Sequence, residues 1–225
     1  MRAAESAMPS SQPAHRRRLR PAPPDPTSRS RLLRAAVEIF ERKGYAAASV
    51  REIVEHAGVT KPALYYHFRS KEGLLIAALE LAVGEFETIL GEVVRAAGGA
   101  RARLTRLCVR VMDTTRSKSS LVRVAHAVYF GPREAAPPFD FRVFDRLLRG
   151  GLRRIVDDGV AAGEIRRAAA TDAIEAVASV MMLGVDQHAD GRRDALDHRG
   201  VRRLIDLVFD GIAAPPRLGK GSWSS

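Results

Sequence analysis

The sequence predicts an all-α protein, with a three-helix unit near the N-terminus and a larger helical region behind it. Three observations carry that expectation. Apolar side chains recur at helical spacing almost without interruption from Ser28 onward. Helix start and stop signals punctuate the pattern at short intervals. No stretch sustains the alternation of a half-buried strand, and no internal repeat is evident.

The elements follow in order. Leu33, Ala36, Val37 and Phe40 fall at i, i+3, i+4 and i+7 and form one apolar stripe. Lys43-Gly44-Tyr45 closes this first helix, with a cation in the last turn and a glycine suited to the left-handed conformation. Ser49 and Glu52 have capping-box spacing, and Val50, Ile53, Val54 and Ala57 make the buried stripe of a short second helix. Gly58 ends it. Thr60 is then the N-cap of a third helix starting at Lys61, where Pro62 fits a first turn that has no need of its missing N–H. Leu64 and Phe68 point inward from it. Ser70 caps a fourth helix that runs through Leu74, Leu75, Ala78 and Leu81. Beyond Ala97-Gly98-Gly99, helices are expected at about 102–115, 119–130, 139–162, 171–189 and 200–213.

Composition narrows the function classes. The chain has 225 residues, 37 basic against 26 acidic side chains, a formal net charge of +11 and one cysteine. A disulfide scaffold is excluded, and a cytoplasmic location is the simplest reading. The most apolar run, 177–185, is too short to span a bilayer, so no membrane association is expected. The charge is uneven: residues 1–35 carry eight Arg against two acidic groups, whereas 36–80 carry six of each sign. Five prolines between Pro9 and Pro24 forbid a helix there. Residues 1–27 therefore read as a disordered basic arm, able to strengthen phosphate binding through counterion release. The alternative is an extended translation start, with Met8 as the true first residue. The remaining divisions are expected at 28–74 and 75–214, with a disordered tail at 215–225.

The segment from Ser49 to Phe68 has the grammar of a helix-turn-helix. A glycine turns the chain sharply between two short helices, and Leu64 and Phe68 dock the second on the first. That leaves Lys61, Pro62, Ala63, Tyr65, Tyr66 and His67 facing outward near the helix N-terminus, the part of a recognition helix that reads the major groove. Adjacent exposed tyrosines make poor protein surface without a partner. Against a duplex, their rings reach thymine methyls and their hydroxyls reach phosphates. Blander roles exist: Tyr65 as packing, His67 as a surface cap, Arg51 as an i,i+4 partner of Glu55.

The stretch Ser49-Val-Arg-Glu-Ile-Val-Glu-His-Ala-Gly-Val-Thr-Lys-Pro-Ala-Leu-Tyr-Tyr-His-Phe-Arg-Ser-Lys71, preceded by Phe40-Glu-Arg-Lys-Gly-Tyr45, resembles the DNA-binding domain of the TetR (tetracycline repressor) family over about residues 28–80. The resemblance implies a helix-turn-helix DNA-binding domain at 28–74 and a helical effector-binding and dimerisation domain at 75–214. It implies backbone contacts from Ser49 and Arg51, and base-edge contacts near Thr60, Lys61, Pro62 and Ala63. Tyr65, Tyr66 and His67 would touch phosphates and groove walls, and Lys71 would hold a phosphate. Pro62 and Ala63 depart from the residues frequent in the family, which leaves Lys61 as the strong hydrogen-bonding base reader of those three.

The partners implied are double-stranded operator DNA, a second copy of the chain, and a small apolar or amphipathic effector that releases the DNA. Activation instead of repression, and general nucleic-acid binding without an effector, are the alternatives. Operator reading by one short helix requires two half-sites and hence a dimer. The candidate interface stripes are Ile174, Val177, Met181, Val185 and His188 on one helix, and Val201, Leu204, Ile205, Val208 and Phe209 on the next. Cys108, Met112, His126, Tyr129, Phe130, Met181 and Met182 are candidates for the effector pocket, because soft sulfur and amphipathic side chains suit adaptable cavities. Gly131-Pro132-Arg133-Glu134 is a candidate mouth.

An enzyme is disfavoured. The histidines at 15, 56, 67, 126, 188 and 198 show no metal-ligand spacing, Cys108 has no cysteine partner, and no nucleophile elbow or phosphate loop occurs. No metal or cofactor is expected.

Overall fold

The computed structural model describes residues 26–131, 137–192 and 196–212, and its regular elements are helices. In order they are α1 (Pro26–Ala47), α2 (Val50–Ala57), α3 (Lys61–Phe68), α4 (Lys71–Arg95), α5 (Ala100–Ser117), α6 (Ser119–Phe130), α7 (Arg142–Ala161), α8 (Ala170–Ala189) and α9 (His198–Ile212). A single 3-10 turn, Arg167–Ala169, leads into α8. Most of the expected basic arm, the expected pocket mouth after Gly131 and the expected C-terminal tail lie outside the described residues.

Local chemistry explains the boundaries. Gly44 takes φ 77 and breaks α1, with one more turn following to Ala47. The Ser49–Glu52 capping box forms in full. Gly58 takes φ 62, and the amides of Gly58 and Val59 reach back to the carbonyls of Glu55 and Val54, so a left-handed residue satisfies the end of α2. Ser70 Oγ accepts from the Gly73 amide and starts α4. Thr60 makes no side-chain cap; only its carbonyl begins α3.

Two apolar cores result, and α4 belongs to both. Leu74, Leu75, Ala78 and Leu79 from its first half join α1, α2 and α3; Ile89, Leu90 and Val93 from its second half join α5, α7, α8 and α9. The expected division at residue 74 thus falls within a continuous helix. The first core also takes in Leu121 and Val124 of α6, so the helix-turn-helix unit rests on the larger region through α6 as well as α4.

The larger core overturns several expectations. Ile174, Val177 and Met181 of α8, and Val201, Ile205 and Phe209 of α9, are buried within this chain, with Val185 and Val208 packed against them. Those stripes are intramolecular because α8 and α9 pack on each other and on α5, a partner invisible to a helical-periodicity argument. Leu204 and His188 are half-buried, and His188 bonds the Gly184 carbonyl and Arg116. The segment Arg167–Ala189 is, contrary to expectation, long and apolar enough to cross a membrane by length and composition, its most apolar 18 residues having a mean hydropathy of 1.5, a test that the core helix of a soluble protein also passes. Its buried side chains face α5, α6, α7 and α9.

Candidate nucleic-acid interface and effector cavity

The helix-turn-helix presents its second helix by a simple partition of side chains. Leu64 is fully buried and Phe68 nearly so, which pins α3 against α1, α2 and α4. Lys61 and Pro62 are exposed, and Tyr65 and Tyr66 are 51% and 67% exposed. The two phenol rings therefore face outward. Ala63 does not: at 8% exposure it packs under the helix, so its expected base-edge role is corrected. An alanine at this position permits the close approach of α3 to its support.

Three other candidates are engaged within the protein. His67 Nε2 lies 2.7 Å from Oγ of buried Ser28, joining α3 to the first turn of α1. Arg51 is exposed and pairs with Glu55 at 2.7 Å. Lys71 is the most engaged of the three. Its Nζ donates to the carbonyls of Tyr45 and Ala48 at 2.9 Å each, reaches that of Ala46 at 3.4 Å, and lies 4.3 Å from the centroid of the Tyr45 ring. A cation there satisfies the carbonyls that end α1, so Lys71 acts as a latch between α1 and α4, and a phosphate would share its ammonium with them. Lys71→Met should lower Tm by roughly 4–8 °C, from about 2 kcal/mol of lost charge-assisted bonding. A thermal melt unchanged by the substitution would contradict the latch.

Glu52 holds the other side of the same corner. Its carboxylate accepts from Lys43 Nζ at 2.5 Å and from the Ser49 amide at 3.0 Å, and Lys43 first, then Ser49, lower its pKa from the ordinary 4.5 to about 2. A lowered carboxylate pKa contributes stability that is complete above about 4.5 and is lost as the pH falls through 2. The difference in Tm between the protein and its Glu52→Gln variant should accordingly narrow between those two pH values. A constant difference would show that the carboxylate charge has no part in the corner.

Arg29 and Arg31 were not singled out by the motif. Both are exposed on the first turns of α1. The Arg29 guanidinium lies 5.4 Å from the Phe68 ring centroid, and an Arg31 terminal nitrogen lies 3.9 Å from where a Cβ on Gly58 would be. They place positive charge beside the turn and recognition helix, in a unit whose own sequence block is neutral. The run of arginines near the N-terminus was the available signal, but its position next to α3 depends on how α1 packs.

The larger region contains a cavity of about 410 Å³ between α4, α5, α6, α7 and α8. That is within the size range of small-molecule sites. His126, Tyr129, Phe130, Met181 and Met182 line it, as expected from their types. Cys108 and Met112 do not. Both are fully buried in the core behind it, and burial pushes the Cys108 thiol up to about 12. Sequence reasoning missed the aromatic wall from α4 and α7: Phe86 and Phe144 lie 5.9 Å apart by ring centroid, and Phe141 stacks on Phe144 at 6.2 Å. It also missed the charged rim, where Arg149 pairs with Glu175 and Asp145, which together raise its pKa, and Lys118 pairs with Glu85.

Helix α6, like α4, touches both sites. Leu121 and Val124 of α6 are buried in the helix-turn-helix core, while Leu121, Val122, Ala125 and His126 line the cavity. Arg123 Nε donates to Glu41 of α1 at 2.7 Å. Burial pushes Glu41 up, but bonds from Ser120 and Arg123 outweigh it and hold its carboxyl below the usual range.

Comparison with known proteins agrees with this architecture. Residues 32–78 match the model for bacterial regulatory proteins of the tetR family. The transcriptional activator FasR of Mycolicibacterium smegmatis is 42% identical over 76 residues, 34% of this chain and 35% of that protein. The transcriptional regulator AcuR of Cereibacter sphaeroides is 30% identical over 136 residues, 60% of this chain and 62% of that protein. In both, less than two thirds of the relative's length is matched. The crystal structure of the transcriptional regulator FadR from Bacillus subtilis in complex with stearoyl-CoA shares the fold, with a TM-score of 0.63 and 20% identity over 81% of this chain and 98% of that one. A helix-turn-helix with outward tyrosines, matched by that family model over residues 32–78, leads to one assignment: the chain carries a DNA-binding domain of the tetR family of bacterial regulatory proteins.

Proposed function

We propose that this protein is a sequence-specific DNA-binding transcriptional regulator, a repressor that a small apolar or amphipathic effector releases from its operator. One observation carries the reading: α3 is locked by Leu64 and Phe68 while Lys61, Pro62, Tyr65 and Tyr66 remain on its open face. Ser49, Arg51 and Thr60 flank that face and complete the proposed DNA contacts. Cytoplasmic residence follows from a partner that is duplex DNA.

Two half-sites require two copies. With the original α8 and α9 stripes turned inward, the proposed contact between copies is the opposite surface of these helices. There Leu183 and Leu207 stay exposed, a placement that costs solvation unless another apolar surface covers it. The cavity is the proposed effector site. The stearoyl-CoA complex of FadR supports an apolar guest in this fold.

The coupling is physical. A guest that pushes on α6 moves Leu121, Val124 and Arg123 together, and these bear on α1 and the core beneath α3. Differential binding worth about 1–3 kcal/mol would change operator affinity roughly 5- to 150-fold. This link between cavity and helix-turn-helix favours effector control over general nucleic-acid binding. Footprinting on the DNA upstream of its own gene should show a protected palindrome. A monomer at micromolar concentration, or equal affinity for random DNA at the same salt, would defeat the reading.

A further inference from the structure

The charges around the cavity select what enters it, an inference that rests on reading the cavity as the effector site. Its wall carries two fixed cations, Lys118 and Arg149, against three carboxylates, Glu85, Asp145 and Glu175. Lys118 is paired with Glu85, and Arg149 with Glu175 and with Asp145 at 2.7 Å. His126, the other basic group in the wall, bonds a fourth carboxylate, Asp186, at 2.8 Å. Each of these basic groups is already matched to an acid, and the acids are in excess.

The two kinds of guest then fare differently. An anionic headgroup entering the cavity sheds water and meets cations already held by carboxylates, so it must compete with a fixed acid for every charge-assisted bond. A cationic headgroup meets the surplus carboxylate charge. It also meets aromatic faces: Phe86 with Phe144, Phe141 beside Phe144, and Tyr129 at 5.1 Å from Phe141. Such ring faces attract cations.

We propose that the effector is a lipophilic cation, an apolar body bearing one quaternary or protonated amine, and that acyl carboxylates and acyl-CoA thioesters are excluded. This separates the present protein from a regulator of the stearoyl-CoA type while keeping an apolar guest.

The test uses three probes with one body and different heads: phenylbutyltrimethylammonium, phenylbutanol and phenylbutyrate, titrated calorimetrically into the full-length chain at fixed ionic strength. The ammonium probe should bind about tenfold more tightly than the alcohol, and the carboxylate weakest of the three. Glu175→Gln should bring the ammonium probe toward the alcohol. Glu85→Gln, by freeing Lys118, should let the carboxylate in. A carboxylate that binds as tightly as the ammonium, or that Glu85→Gln leaves excluded, overturns the charge selection and leaves the cavity as an effector site. Binding by none of the probes overturns the cavity reading, and the charge selection with it.

Discussion

Tyr66→Ala should abolish operator binding at nanomolar protein while leaving the thermal melt unchanged. The Tyr66 ring is the more exposed of the pair on α3, so its removal creates no cavity. Within the fold its ring contact is an edge-on approach to the neighbouring His67, at 5.1 Å between centroids. The cost therefore falls on the duplex contact. A loss of about 1–2 kcal/mol at each half-site doubles in a complex that uses two, giving roughly 30- to 1,000-fold weaker binding. Tyr66→Phe should lie between, since it keeps the ring for thymine methyls and loses only the hydroxyl that reaches phosphate. Gel shifts on a footprinted operator, paired with melts, separate the two effects. If Tyr66→Ala binds as the unaltered protein does, the outward face of α3 is not the reading surface.

The second large effect comes from two glycines of α4 with opposite signs. A Cβ on Gly73 would lie 2.1 Å from the Phe68 carbonyl oxygen, a backbone atom that moves only if the end of α3 moves with it. The α3–α4 corner has little slack, because Arg69 already holds φ 66, an uncommon value for a residue with a Cβ. Gly73→Ala should cost about 1–3 kcal/mol and weaken DNA binding beyond what the stability loss explains. Gly84, further along the same helix, has open space where its Cβ would go. Gly84→Ala should stabilise by about 0.5–1 kcal/mol, by restricting the unfolded chain. Denaturant unfolding of both variants checks the pair. A destabilising Gly84→Ala, or a neutral Gly73→Ala, would contradict the α3–α4 packing.

Parts of this protein follow from the sequence alone, because their causes span only a few residues. The Ser49–Glu52 box, the left-handed Gly58, the Ser70 cap and the inward pair Leu64 and Phe68 each depend on neighbours within one or two helical turns. These local rules also put Tyr65 and Tyr66 on the open side of α3. Tertiary packing decided the rest. Lys71 became a latch because α4 starts beside the end of α1, where the Tyr45 carbonyl that accepts its bond lies 26 residues earlier in the chain. Ala63 and the apolar stripes of α8 and α9 went inside because other helices arrived on those faces. Periodicity shows that a face is apolar; it does not show whether the covering partner is the same chain or another. The cavity was half legible, since residue type pointed to His126, Tyr129 and Phe130 on α6. Its charged rim and its α4 and α7 wall join residues far apart in sequence, and only the folded arrangement of the helices brings them to one place.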